Sequence, residues 1–481
     1  MKSQFLIAAP SSNSGKTTIT LGLLRLLKNK GFKIQPFKCG PDYIDTKHHT
    51  KAACQVSINL DTYMMSERHV EELYSQYSEE ADISIIEGVM GLFDGANRMQ
   101  GSSAEIAILL DVPVILVVNA KAMAYSVAPL LFGLKNFNPN IKIAGVIFNF
   151  VNTESHFSFL KDACDDVGLE ALGFVPSDLG IAIPSRHLGL AISAENDYET
   201  IIENAAQHLA KSINVNRLLA LCSLSETALN KNYCCKTTEA VSIASSLSLE
   251  SDDFCQTAPF CEEKEFEGNY DMQQSSVKYK IAVAHDDAFN FTYFENIKAL
   301  ENLGDVIYFS PLKDAVMPEA NMLYLAGGYP ELYLKDLTAN TSMRKSILDF
   351  CSNDGKVIAE CGGMMYLGNQ ITNADGIGYP MAGFLPIETS MEQAKLSLGY
   401  REVHLNGKTI KGHEFHYSTA IEKENLSRVG EVFNAKGVKV TTPIYRLKNV
   451  MASYIHFYWG ECDFIGEFLT DGVDGVRIFN K

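Results

Sequence analysis

The sequence predicts an α/β protein with an N-terminal domain built on a mostly parallel sheet and a second, C-terminal α/β domain, and three observations carry that prediction. Between Ser3 and about Ser193, the strand-like runs FLIAA, ISIIEG, VPVILVVNA and IAGVIFN alternate with helix-length stretches, the pattern of parallel strands covered by helices. From about Leu221 to Val277 the pattern lapses into Ser, Thr, scattered Cys and a run of acidic residues. It resumes at YKIAVAHDDAFNF. A chain of 481 residues can fill two or three cores, and the expected division is a domain over 1–220, a linker over 221–277 and a domain over 278–481.

The first strand, FLIAAP, runs into SSNSGKTTITLGLLRLLKNKG. There GKTT stands where an apolar strand gives way to a helix with leucines at helical spacing, the setting a phosphate-binding P-loop needs. Backbone N–H groups of Ser14, Gly15 and Thr18 at the helix N-terminus would cradle phosphates, Lys16 would neutralise the outer ones, and the Thr17 hydroxyl would ligate magnesium. Pro10 replaces the first glycine of the strict G-x-x-x-x-G-K-T pattern, and a loose GKTT also arises by chance. The strand-turn-helix setting separates the two readings.

Carboxylates follow at the same predicted sheet edge. After Phe37 and Lys38, CGPDYIDTKHH supplies Asp42 and Asp45, and ADISIIEGVMGLFDG places Glu87 and Asp94 just past an apolar strand. Facing a P-loop, such groups hold magnesium against nucleotide phosphates. Thr17, Glu87 and Asp45 are the expected metal set, and Asp42, Asp45 and Glu87 the expected catalytic acids. The competing reading of Asp42 and Asp45 is a solvated turn. VPVILVVNA, apolar on both faces as a central strand is, delivers Asn119 and Lys121 to that edge, to meet either the nucleotide or solvent. Arg186 and His187, in FVPSDLGIAIPSRHLGL, face an anionic substrate or water.

In the second domain, KVIAECGGMMYLG is an apolar run that breaks into a Cys followed by two glycines. That suggests a strand-to-helix elbow, with Cys361 on a sharp turn and a helix N-terminus that favours a thiolate. A packed structural thiol is the alternative. Downstream, MASYIHFYWG carries His456 on a strand-like run, from which it could reach Cys361 as a general base. Between Glu250 and Gln274 the acidic stretch has little apolar periodicity and reads as a solvated tether.

Those two segments, with the turn YLAGGYPEL before them, resemble the class I glutamine amidotransferases. The resemblance implies an α/β glutaminase domain in which Cys361 attacks the glutamine amide, His456 moves the proton, and Gly327, Gly328 and Gly362 contribute the oxyanion loop. Most of that family places a Glu two residues after the His; here the position is Tyr458. Together with F-K-C-G-P-D-Y-I-D, I-E-G-V-M-G-L-F-D-G and L-G-Y-R-E-V near Gly399, the chain from Ile7 to Trp459 resembles the cobyrinic acid a,c-diamide synthase family, whose N-terminal half is related to dethiobiotin synthetase. That resemblance implies a ligase using ATP, magnesium and L-glutamine to amidate the a and c carboxylates of a corrin-type tetrapyrrole. Cobyrinic acid, hydrogenobyrinic acid and nickel sirohydrochlorin are the macrocycles in question. Cobyric acid synthase is disfavoured, since it runs toward F-K-P-Q-N-M where this chain has F-K-C-G-P-D. A reading from another class is a P-loop switch ATPase with an inactive glutaminase fold as a binding module; the presence of both Cys361 and His456 argues against it.

Composition sets outer bounds. A net charge of −17 opposes nucleic acid as a partner. No basic start, long apolar stretch and cleavage site combine at the N-terminus, and no run of about 20 apolar residues could span a membrane. A soluble, cytoplasmic protein is expected, with a homodimer compatible with the chain. The 11 cysteines lack C-x-x-C spacing and read as reduced thiols, with a metal site at Cys234 and Cys235 disfavoured.

Overall fold

Runs that are apolar at every position need cover on both faces, and the N-terminal sheet provides it. A computed structural model describes residues 2–183, 198–224 and 279–475; the acidic stretch from 225 to 278, together with Arg186, His187, Cys234 and Cys235, lies outside them. Seven strands, β1 (Ser3–Ala8), β2 (Ile34–Cys39), β3 (Ile58–Leu60), β4 (Ile83–Glu87), β5 (Val114–Asn119), β6 (Ile143–Asn149) and β7 (Ala171–Val175), form a parallel sheet in the order β3-β2-β4-β1-β5-β6-β7. Strands β2, β3 and β7 were not singled out by pattern: IQPFKC holds a proline and a lysine, and INL is only three residues long. Phe5 and Ile7 of β1 pack with Ile19, Leu23 and Leu27 of helix α1 (Lys16–Asn29), while Leu6 and Ala8 join Ile86, Leu116 and Phe148 on the other face. Burying both faces contributes about 25 cal/mol per Å² of apolar surface.

Register then decides what meets at the carboxyl edge. Ile7 of β1 and Lys38 of β2 both lie opposite Glu87, the last residue of β4. The P-loop leaves β1 beside them, and helices α2 (Ile44–Ala53) and α3 (Glu67–Ser78) follow β2 and β3.

The second sheet has a parallel centre. Strands β8 (Tyr279–Ala284), β9 (Gly304–Phe309), β10 (Met322–Leu325) and β11 (Lys356–Glu360) are ordered β11-β10-β8-β9, and strand Val450–Ser453 runs parallel to β11 on its other side. Two short antiparallel strands, Ile444–Leu447 and Ser427–Arg428, finish that edge. A separate antiparallel sheet pairs Lys408–His416 with Ile455–Phe457, His413 opposite His456. Aromatic residues from the second half, Phe291, Tyr293, Tyr329 and Tyr458, are buried in the same cluster as Leu6, Phe37 and Tyr43. Polar links flank them: Tyr400 donates to Asp61 at 2.8 Å and Tyr77 to Glu295 at 2.6 Å. Among the described residues, no helix is long and apolar enough to cross a membrane.

Candidate active site

The GKTT segment folds as a strand-turn-helix. Gly15 has φ 89°, a conformation that glycine adopts without strain, and a side chain there would collide with the Asn149 amide, which itself donates to the Ser14 carbonyl at 3.0 Å. Lys16 opens α1, and its ammonium reaches back across the loop to the Met90 carbonyl. Thr17 and Thr18 sit half-buried at the helix N-terminus. That terminus carries unsatisfied N–H groups and has no acidic residue in its first turn. Burial lowers the Lys16 pKa, against the pull of Glu87. Asn119 and Lys121 line a cleft of about 430 Å³ with Asn13, Phe150, Ser177 and Asp178, so the end of β5 stands beside the loop as its sequence position requires.

Behind the loop lies a buried charge network. Glu87 accepts from the Thr17 hydroxyl at 2.7 Å, from Lys38 at 3.0 Å and from His49 Nε2 at 2.6 Å. Lys38 also pairs with Asp45 at 2.8 Å. Burial opposes charge on Glu87, yet Lys38 and His49 outweigh it and hold its pKa below the usual carboxylate range. Burial likewise opposes charge on Lys38, and Asp45 with Glu87 overcomes it and raises its pKa. Asp42 turns its carboxylate onto the N–H groups of Ile44 and Asp45, at 2.9 and 2.8 Å, and so caps the start of α2. Thr17, Glu87 and Asp45 offer hard oxygen donors, and the Lys38 ammonium already lies as a cation against both carboxylates. This donor set fits magnesium, which takes one or two carboxylates and completes its shell with phosphate oxygens and water. Among the described residues, no group of three or more His, Cys, Asp or Glu forms a self-contained metal cage.

The C-terminal site gathers around the end of β11. Cys361 follows it with φ 45°, ψ −104°, a strained turn for a residue with a side chain, and helix Gly362–Leu367 begins at once. Its N–H is tied to the Ser453 carbonyl at 2.7 Å, so the neighbouring strand fixes the elbow. His456 lies three residues beyond that anchor. Side chains at Gly327 and Gly362 would collide with the His456 ring and with the backbone of Gly328 respectively. The two glycines thus let the turn, the elbow and the imidazole approach closely.

Electrostatics correct one expectation. A helix N-terminus was expected to favour the thiolate, but burial pushes the Cys361 thiol well up, and Glu331, Glu414 and Glu360 nearby add to this; only the Gly362 N–H acts against it. The thiol instead faces the Phe415 carbonyl at 3.7 Å. Burial, with His413 and His416 beside it, keeps His456 neutral far below the ordinary imidazole value. Both groups rest neutral, so the thiol must give up its proton before it can attack.

Tyr458 turns away from His456. Its hydroxyl meets His69 Nε2 on α3 at 2.8 Å. A carboxylate oxygen of Glu360, Oε2, stands 3.9 Å from the imidazole Nδ1.

Several site residues escaped the sequence reading. Lys38 was legible in principle, as the penultimate residue of a strand that ends at the same edge as Glu87. His49 sits four residues after Asp45, on the same face of α2. Glu360 directly precedes the cysteine. Tyr43, whose ring meets those of His456, His413, Phe291 and Tyr293, gave no signal because its neighbours are remote in sequence.

Comparison with known proteins covers the same two halves. Residues 5–190 match the CobQ/CobB/MinD/ParA nucleotide binding domain family, and residues 280–464 match the CobB/CobQ-like glutamine amidotransferase domain family. The chain is 36% identical to the cobyrinate a,c-diamide synthase of Caldanaerobacter subterraneus subsp. tengcongensis, with 94% of each chain covered. It is 34% identical to that of Salmonella typhimurium, covering 95% of each. It is also 37% identical to the hydrogenobyrinate a,c-diamide synthase of Brucella abortus, covering 96% of this chain and 99% of the relative.

Proposed function

The chain belongs to the a,c-diamide synthase family, glutamine-dependent ligases of cobalamin biosynthesis, and from that membership we propose a two-site reaction that converts the a and c carboxylates of cobyrinate to amides. The observation that carries the division of labour is the presence of a P-loop with a buried Lys38-Glu87-Asp45 network and, separately, a strained Cys361 elbow whose N–H is tied to Ser453, three residues before His456. We assign the synthetase to residues 1–220, the tether to 221–277 and the glutaminase to 278–481.

At the first site, Ser14, Gly15, Lys16, Thr17, Thr18 and Asn119 bind ATP. Thr17, Glu87 and Asp45 would hold magnesium, which would supply Lewis-acid neutralisation of the phosphate oxygens. A carboxylate is a poor electrophile because oxide would have to leave. Transfer of the γ-phosphoryl group to a peripheral carboxylate oxygen makes an acyl phosphate and ADP, and phosphate then becomes the leaving group. Lys16 and Lys38 neutralise charge that builds on the transferring group. Asp42 shapes the loop by capping α2, and Asp45 keeps Lys38 aimed at the site.

At the second site, His456 takes the thiol proton as Cys361 attacks the glutamine amide carbon, and returns it to the departing ammonia. N–H groups of Gly328 and Gly362 receive the oxyanion, Gly327 making room for the imidazole. Water then hydrolyses the thioester to glutamate. Ammonia displaces phosphate from the acyl phosphate, and a second round on the other carboxylate gives the diamide.

Hydrogenobyrinate is the second reading, since the Brucella abortus relative named for it is as similar to this chain as the cobyrinate enzymes are. We place the protein in the cytoplasm, where ATP and glutamine are supplied. Incubating it with glutamine, ATP and magnesium plus either macrocycle tests the reading. A diamide with two ADP and two glutamate per macrocycle is expected; ATP hydrolysis with neither macrocycle amidated would overturn it.

A further inference from the structure

We propose that Glu360 is the positioning carboxylate of His456, supplied by the strand that ends in the nucleophile and not from the position of Tyr458. This rests on the glutaminase reading and deepens it.

His456 Nδ1 is buried and has no hydrogen-bond partner. Glu360 Oε2 stands 3.9 Å from it, with both side chains only 1% exposed. A buried imidazole nitrogen without a partner costs free energy that a carboxylate can recover. Glu360 is itself held: Tyr324 donates to Oε2 at 2.8 Å, and the Phe457 N–H donates to Oε1 at 3.0 Å. The second bond ties Glu360 to the strand of His456, one residue past the imidazole. Because Glu360 also precedes Cys361, one strand end sets nucleophile and orienter together.

The separation is too long for a hydrogen bond in the resting pair and short enough to close when charge develops. An ionised Glu360 accepts the Nδ1 proton, which leaves Nε2 as the base for the Cys361 proton; the carboxylate then stabilises the imidazolium. A protonated Glu360 has its own proton to offer Nδ1 and, carrying no charge, supports the Nδ1–H tautomer and the imidazolium far less than the carboxylate does. Burial raises the Glu360 pKa to about 8, opposed by the Phe457 and Tyr324 bonds, so glutaminase is expected to rise with pH as Glu360 ionises. Other titratable groups around the pair are His413, stacked at 5.0 Å, His416, Glu414 and Tyr324, with Tyr43 on the ring and Glu331, Glu414 and Glu360 itself raising the Cys361 pKa.

The test uses the full-length protein with Glu360→Gln, Glu360→Asp and Cys361→Ser. Glutamine-dependent kcat is expected to fall about 10- to 100-fold in Glu360→Gln, with partial recovery in Glu360→Asp and ammonia-dependent synthesis within two-fold of wild type. The rise of wild-type glutaminase kcat/KM through pH 8 should be absent from the Gln variant. The assignment is overturned if Glu360→Gln keeps glutaminase within two-fold, if it keeps the wild-type pH profile, or if the ammonia reaction falls equally. Survival of glutamine use in Cys361→Ser would instead overturn the glutaminase reading itself.

Discussion

The ring of Tyr43 lies 5.3 Å, centroid to centroid, from the imidazole of His456. One side chain from the segment that holds Asp42 and Asp45 therefore touches the base of the other site. Its further neighbours, Phe291, Tyr293 and His413, all belong to the second half of the chain. A shift of α2 on binding macrocycle or ATP would be felt by the imidazole through this ring. Tyr43→Ala should release glutamate in excess over ADP, while Tyr43→Phe, which keeps the ring, should stay near one to one. An unchanged ratio in Tyr43→Ala would show that coupling runs elsewhere.

The two half-reactions should separate by mutation. Cys361→Ser replaces a thiol with a far weaker nucleophile, so glutamine use should vanish while high ammonia still supports amidation. Lys16→Ala should do the reverse, lowering synthesis by at least 100-fold with slow glutamine hydrolysis retained. Parallel assays of amide formation from glutamine and from ammonia check both.

Lys38 ties stability to the synthetase site. Lys38→Met leaves Glu87 and Asp45 buried without their cation, which should cost about 3–5 kcal/mol and stop amidation. In the wild type Glu87 is held below its ordinary 4.5. Its contribution to stability is complete above that value and fades as pH falls toward the lowered folded value. Urea unfolding at pH 7 and at pH 4 should show a smaller gap between the two proteins at the lower pH.

Why some of this was legible and some not is a matter of range in sequence. The P-loop, Glu87 and the Cys361 elbow are written in contiguous residues, because each needs an apolar strand, a turn and a helix start in immediate succession. Pairing across strands is not so written: Lys38 meets Glu87 through parallel register, and β2 lacked a readable apolar alternation. The helix N-terminus at Cys361 suggested a thiolate, but burial, which only the fold reveals, pushes its pKa up, and Glu331 and Glu414 from other segments add to the neighbouring Glu360. Asp42 reads first as a solvated turn from its neighbours alone, and its capping bonds to α2 needed the fold.

Tyr458 joins the two halves and does not serve the imidazole. Tyr458→Phe removes its bond to His69 and should cost about 1 kcal/mol, with glutamine-dependent kcat within a few-fold of wild type. Tyr458→Glu should fail to raise glutamine hydrolysis without ATP and macrocycle, since the side chain points at α3. Glutamate release and melting temperature of both variants measure this.

The most direct test follows oxygen. Cobyrinate carrying oxygen-18 in its peripheral carboxylates is amidated with glutamine, ATP and magnesium, and the released phosphate is analysed by mass. Activation as an acyl phosphate predicts one labelled oxygen transferred to phosphate for each amide formed. Amide formation with unlabelled phosphate would contradict the account.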